Sequence, residues 1–236
     1  MSEYGRIVVL TGAGISVESG LATFRAEDGL WANHKVEDVA TPEGFMRNPE
    51  LVQNFYNTRR EQLKTVEPNG AHIALAELEE KWPGEFLLVT QNVDDLHERA
   101  GSKNLIHMHG ELKKVRCLHT DTVYDWEEDI TELTKCDCCN EFGTLRPHIV
   151  WFGEMPLQLE EIYQALGNTS LFVAIGTSGS VYPAAGFVRE AIHNGCDHSI
   201  EINLKPSDSN SLFDENIYGL ATEMVPKFIK KITKKI

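Results

Sequence analysis

Short apolar runs recur along the chain, each closed by small or turn-forming residues. RIVVL at 6–10 runs into TGAG, and FLLVT at 86–90 runs into QNVDD. LFVAIG at 171–176 runs into TSGS, and SIEINL at 199–204 into KPSDSN. Runs this short, rich in β-branched residues and apolar on successive positions, fit strands buried on both faces, as in a parallel sheet. Between them apolar positions recur every three or four residues, at 70–82 (GAHIALAELEEKW), 158–167 (QLEEIYQALG), 183–194 (PAAGFVREAIHN) and 221–233 (ATEMVPKFIKKIT). That period predicts helices. Strand and helix in alternation predict an α/β fold with a Rossmann-like, doubly wound parallel sheet, whose ligands bind beyond the carboxyl ends of the strands. The turns named above therefore face one crevice.

Two stretches break the alternation. Residues 31–67 read as helices and turns with no strand, and 113–143 are polar, cysteine-rich and acidic in the middle (DWEEDITE). They are expected to form a smaller domain, a helical module plus a zinc-ribbon-like module. The Rossmann-like domain is then made of 1–30, 68–112 and 144–236. Composition is ordinary for a globular protein, with 42% hydrophobic and 25% charged residues. The net charge of −14 argues against nucleic acid or an anionic membrane as partner and weakly favours a basic one, such as a lysine-rich segment. No apolar run approaches the ~18–20 residues of a membrane span. The apolar run near the N-terminus is too short for a signal peptide, so a cytoplasmic protein is expected. Four of the five cysteines, Cys117, Cys136, Cys138 and Cys139, cluster, which reads as metal ligation before disulfides; Cys196 stands apart.

The turn TGAGISVESG carries Gly12, Gly14 and Gly20, but Val17 occupies the third glycine's place in G-x-G-x-x-G, and no G-K-[ST] follows. A strand ending in Gly-x-Gly and opening a helix can wrap backbone N–H groups around a pyrophosphate; a purely structural glycine turn is the alternative. No acidic residue ends a second strand about 20 positions on, which speaks against a dinucleotide held for hydride transfer. In FYNTRR, Tyr56 and Arg59 share a helix face, which in isolation is a solvated pair.

Taken together, GAGISVESG with Phe24 and Arg25, QNVD at 91–94, HMHG at 107–110, LRPHIVWFGE at 145–154 and GTS at 176–178 closely resemble the sirtuin family of NAD-dependent protein lysine deacylases. The matches keep the family's order over nearly the whole chain. The resemblance implies NAD as co-substrate and acyl-lysine proteins or peptides as partners; a monomer is expected. It places Gly12, Ala13, Gly14, Ser16, Ser19, Gly20, Thr23, Phe24, Arg25 and Trp31 on the cofactor. Gln91, Asn92, Val93 and Asp94 are implied at the nicotinamide and its ribose, and Gly176, Thr177, Ser178, Asn203, Leu204, Lys205 and Ala221 at the adenosine end. Asn92 and Asp94 join His109 as catalytic residues. His109, alone as consistent with a turn cap, becomes the general base, since an ordinary imidazole accepts a proton at neutral pH. In the family's reaction the acyl oxygen attacks C1′ of the ribose as nicotinamide leaves. The base then deprotonates a ribose hydroxyl, and O-acyl-ADP-ribose and free lysine result. Phe24 would screen the reacting carbon from water. Val150, Phe152 and Gly153, with Trp151 between them, resemble the strand that pairs with an extended substrate peptide.

One sirtuin subclass, class III, carries Tyr-x-x-Arg with an alanine that widens the acyl pocket. VATPEGF and FYNTRR supply Ala40, Tyr56 and Arg59. A guanidinium fork and a phenol suit an acyl group ending in a carboxylate, such as succinyl or malonyl, and a wide pocket need not reject acetyl. RPHIVWFGEMP and VYPAAGF are most similar to bacterial CobB-type enzymes. The zinc motif departs from the family's two Cys-x-x-Cys pairs, because Thr120 stands where the second cysteine is expected. One structural zinc per chain is expected on Cys117, Cys136 and Cys139, with His119, Asp121 or the surplus cysteine as fourth ligand; an unmetallated module is the alternative. Rival readings are a mono-ADP-ribosyltransferase using the same cofactor, a non-catalytic NAD or acyl-lysine reader, and a dehydrogenase.

Overall fold

A computed structural model describes residues 5–23, 30–31 and 34–234, with side chains described at all but Leu30 and Trp31. Its centre is a six-stranded, all-parallel sheet of β1 (Arg6–Thr11), β4 (Phe86–Thr90), β5 (Leu105–His107), β9 (Thr169–Ile175), β10 (His198–Asn203) and β11 (Glu215–Tyr218). The order β11-β10-β9-β1-β4-β5 has β1 at the middle, with the chain running first to one side and then to the other. Thr11 lies level with both Thr90 and Ile175. The strand ends therefore form one ledge, and the order reverses between β1 and β9, where such sheets bind ligands.

The apolar runs are continuous because alternate side chains serve opposite layers. Ile7 and Val9 of β1 pack with Leu75 and Leu78 of α4 (Gly70–Lys81) and Val225 and Phe228 of α8 (Ala221–Thr233). Val8 and Leu10 pack on the other face with Ile162 and Leu166 of α6 (Leu159–Leu166) and Phe187 and Val188 of α7 (Phe187–His193). Asn69 starts α4 sharply, its side chain accepting from Ala71 N at 2.9 Å while its own N–H is taken by His72 Nδ1 at 3.2 Å.

The 31–67 stretch forms helices α1 (Val36–Val39), α2 (Pro42–Arg47) and α3 (Pro49–Leu63), with one difference from expectation. A two-residue ladder, β2 (Leu30–Trp31) with β3 (His34–Lys35), precedes them. A pair this short carries no alternation that a sequence could display. A three-stranded antiparallel sheet, β7 (Val123–Asp125), β6 (Gly110–Cys117) and β8 (Leu145–Ile149), carries the cysteine module, and β6 crosses the expected boundary at 112/113. Among the described residues, no helix is long and apolar enough to cross a membrane.

Candidate active site

A cleft of about 950 Å³ runs along the ledge and beneath α1–α3. On the sheet side, Gly12 N donates to Ile175 O at 3.0 Å and Gly14 N to Gly176 O at 2.9 Å. The two turns touch so closely that a Cβ on Gly14 would lie 2.6 Å from the Gly176 Cα, and one on Gly176, whose φ is +62°, 2.5 Å from Ile15 N. Glycine is required at both by contact, and at Gly176 by φ as well. Asn203 secures the second turn, its Nδ2 donating to Thr177 O at 2.7 Å. After β1 the chain opens on two 3-10 turns, Ala13–Ile15 and Val17–Ser19, and not on the expected α-helix; Gly20, with φ +102°, ends the second. The Ser16 side chain between these turns is held from elsewhere, which pins them.

Ser16 Oγ is a saturated hub. It receives Asn92 Nδ2–H at 3.1 Å, donates to Asp94 Oδ2 at 3.1 Å and lies 3.4 Å from His72 Nε2. Because His72 Nδ1 accepts the Asn69 N–H, its proton sits on Nε2, so Ser16 uses its one donor and both acceptor sites. Burial pushes His72 down to about 4, so it stays neutral, and pushes Asp94 up to about 6. Leu96 N also donates to Asp94 Oδ1, at 3.2 Å.

His109 enters the cleft at the end of the chain leaving β5. Its Nδ1 lies 3.1 Å from Gln91 O, which fixes the proton there and leaves the Nε2 lone pair as acceptor. Burial lowers its pKa, offset in part by that carbonyl, so the ring is neutral at pH 7. His109, Asn92 and Asp94 thus line one wall together. The neutral imidazole can take a proton, and the pinned amide and carboxylate can orient a sugar.

Ala40, Tyr56 and Arg59 line the same cleft. Tyr56 is fully buried, and its Oη accepts Trp151 Nε1–H at 3.0 Å, so its own proton remains a donor. Burial raises its pKa far above the phenol value, which keeps that proton in place. Arg59 Nη1 donates to Phe55 O at 2.7 Å, and its guanidinium lies 3.2 Å over the Phe55 ring. Burial brings Arg59 down to about 10, still charged at neutral pH.

Residues 150–153 line the cleft but are not strand; β8 ends at Ile149. Val150 N donates to His109 O and Phe152 N to Ala40 O, both at 2.9 Å, so those two N–H groups are already engaged. Arg146 causes the departure. It grips Glu154 at 2.7 and 2.9 Å and lies 3.5 Å over the Trp151 ring, while Glu154 Oε2 accepts Trp151 N at 2.8 Å. That clamp turns the chain back, and neither Arg146 nor Glu154 is expected at the site from sequence; two opposite charges eight apart around an aromatic make no pattern to read.

The remaining positions expected on the cofactor, Ala13, Thr23, Val93, Ser178, Leu204, Lys205 and Ala221, also line the cleft. Ser19 and Gly20 lie behind it, where Ser19 Oγ accepts Asn69 Nδ2–H at 2.9 Å. Phe24, Arg25 and the side chain of Trp31 lie outside the described residues.

The thiol sulfurs of Cys117, Cys136, Cys138 and Cys139 all lie within 4.8 Å of one another. Thiolates around a tetrahedral zinc at ~2.3 Å stand about 3.8 Å apart, so the set fits one structural zinc. The fourth partner in the cluster is Cys138; His119 turns away, its Nδ1 3.4 Å from Glu141. The Cys-x-x-Cys spacing favours Cys139 over Cys138, but the turn here gathers both. Cys138→Ser is therefore expected to lose zinc to a chelator at least tenfold faster than wild type, read by metal analysis after dialysis, whereas His119→Ala retains it. The reverse outcome would hand the fourth position to His119.

The Sir2 family model matches residues 12–183. A Pasteurella multocida protein described as an NAD-dependent protein deacylase is 64% identical over 231 residues, covering 97% of this chain and 98% of that one. A Salmonella typhimurium protein of the same description is 59% identical over 236 residues, covering 99% and 86%. Among solved structures, a Sir2 homolog–NAD complex superposes with a TM-score of 0.88 at 39% identity, covering 98% of this chain and 90% of that one. A Sir2 bound to acetylated peptide gives 0.81 at 30%, covering 95% and 92%.

Proposed function

The chain belongs to the Sir2 family, and from that premise we propose that it is an NAD-dependent protein lysine deacylase whose pocket accepts acyl groups ending in a carboxylate as well as acetyl. The observation that carries the acidic preference is Arg59, a half-buried cation that lines the same cleft as the Tyr56 phenol and His109. A guanidinium partly stripped of water gains most from a carboxylate brought to it.

In this reading NAD is consumed as a substrate along the ledge. Its pyrophosphate lies where Gly12, Gly14 and Gly176 allow the backbone to approach. Asn92 and Asp94, pinned through Ser16, orient the nicotinamide ribose, and His109 Nε2 takes a proton from a ribose hydroxyl. The acyl-lysine enters from the Trp151–Gly153 side with its acyl tail toward Tyr56 and Arg59. Residues 31–67 and 113–143 act as the smaller domain roofing the cleft, and the structural zinc has no part in the chemistry. The protein acts as a monomer in the cytoplasm, a compartment suited to its five unpaired cysteines.

The test is incubation with twin peptides carrying succinyl-lysine or acetyl-lysine, with and without NAD, followed by mass spectrometry. NAD-dependent loss of both groups, with O-acyl-ADP-ribose appearing, is the expected result. ADP-ribose transferred to protein with both acyl groups retained would move the assignment to a transferase.

A further inference from the structure

His107 sits two residues before His109, and the two rings hold successive carbonyls of one loop. His109 Nδ1 meets Gln91 O, and His107 Nδ1 meets Asn92 O, each at 3.1 Å. They differ at the other nitrogen. His109 Nε2 is left for the cleft, whereas His107 Nε2 lies 2.6 Å from Glu98 Oε1 on α5 (Leu96–Ala100). A carbonyl and a carboxylate are both acceptors. A ring between them satisfies both only when both of its nitrogens carry protons.

We propose that His107 is a positioning residue for the deacylation site: as an imidazolium it joins the Asn92 carbonyl to Glu98 and so fixes the loop that presents Asn92 and Asp94. When it loses a proton, the remaining one stays on the stronger, charge-assisted bond to Glu98. The Asn92 carbonyl then faces a lone pair, and the loop loses one of its ties. Its other ties include Gln91 N to Thr11 O and Leu112 N to Val93 O, both at 2.9 Å, Asn92 N to Thr90 Oγ1 at 3.0 Å, the His109 bond to Gln91 O and the Ser16 bonds.

The charged and titratable groups facing His107 favour the cation on balance. Glu98 contacts it from α5, and Glu111, itself paired with Lys114 at 2.8 Å, approaches from β6. Asp94 faces it from the loop, and neutral His97 from α5. Burial opposes the charge, but the Glu98 bond, the two carboxylates and the Asn92 carbonyl outweigh it, and the pKa rises above the ordinary 6.5. His107 is 7% exposed and Glu98 39%, so Glu98 can be changed without opening the core.

The consequence is an alkaline limb in the rate that belongs to His107 and is separate from any acid limb of His109. The experiment compares kcat against pH for wild type, Glu98→Gln and His107→Gln, with the His107 ring followed by NMR titration. Glu98→Gln moves the alkaline limb to lower pH. On that limb its kcat relative to wild type falls about tenfold for each pH unit that the limb moves. His107→Gln, whose amide donates to Asn92 O at every pH, flattens that limb. A Glu98→Gln deficit equal at all pH values, or a His107 ring that titrates below 6.5 in wild type, overturns the proposal. The inference rests on the deacylase reading, yet the two fail differently. Wild type inactive at every pH, with His107 still titrating high, sinks that reading and leaves the clamp standing.

Discussion

His109→Ala is expected to lower NAD-dependent deacylation by about two to four orders of magnitude while leaving NAD binding nearly unchanged. The ring is held through Nδ1 on Gln91 O, and that bond aims Nε2 into the cleft. Removing the ring deletes the base but not the glycine turns that would receive the pyrophosphate. Single-turnover rates on both acyl peptides and calorimetry with NAD separate the two effects; a parallel collapse of NAD affinity would make His109 a structural residue. The pH dependence follows with a definite sign. A base works unprotonated, and burial holds His109 below 6.5, so activity is present at neutral pH and is lost as pH falls through a value under 6.5. Asp94, pushed up to about 6, also loses its charge on the acid side, so both groups contribute to the acid limb.

What the sequence discloses and what it hides follow from burial. The four central strands are legible because both faces are covered, so each is a continuous apolar run. The two that leave no signal, β5 and β11, are the edges of the sheet. Leu105–His107 is only three residues long, and Glu215–Tyr218 alternates half-buried and exposed positions, so neither can carry the run that marks the others. Helices α4, α6 and α8 are readable for the complementary reason, since each buries one stripe against the sheet.

The candidate site divides the same way. Residues fixed by backbone demands or placed by a motif, Gly12, Gly14, Gly176, Asn92, Asp94 and His109, stand out in the sequence and are gathered in the cleft. The residues that hold them do not. Ser16 is expected on the cofactor, and its hydroxyl is committed to Asn92 and Asp94. His72, Arg146 and Glu154 are ordinary residues in sequence whose roles come from partners far along the chain, Ser16 for His72 and a folded-back turn for the Arg146–Glu154 pair. Arg60 is a further case. Its Nε donates to Leu112 O at 2.9 Å and its Nη1 to Asn57 Oδ1 at 2.9 Å and Glu128 O at 3.1 Å, which ties α3 to the cysteine module and sets where its neighbour Arg59 stands. A Tyr-x-x-Arg spacing gives the shared face of a helix; the direction of that face comes from Arg60, from Asn57, whose Nδ2 donates to Ile130 O at 2.9 Å, and from Gln53, whose Nε2 donates to Leu145 O at 2.6 Å.

Arg59→Met is expected to cost succinyl-lysine about a hundredfold in kcat/KM and acetyl-lysine less than about threefold, a difference near ~2 kcal/mol or more. The free protein holds this guanidinium half-buried, bonded to Phe55 O with a ring beneath it, and burial lowers its pKa to about 10. A carboxylate arriving at the acyl tail offsets that desolvation and gains the guanidinium fork, and the Tyr56 proton adds a donor because burial keeps the phenol protonated. Methionine keeps most of the apolar bulk and can still cover the Phe55 ring, so α3 stays in place. The acidic tail then enters a pocket with no cation. Acetyl has no charge to lose, so its rate reports only on packing. Arg59→Lys separates charge from geometry: a point charge on a flexible stem restores part of the succinyl activity but not the fork. Equal losses on both peptides in Arg59→Met would show that the residue shapes the wall without reading the acyl group, and the acidic preference would have to come from elsewhere in the cleft.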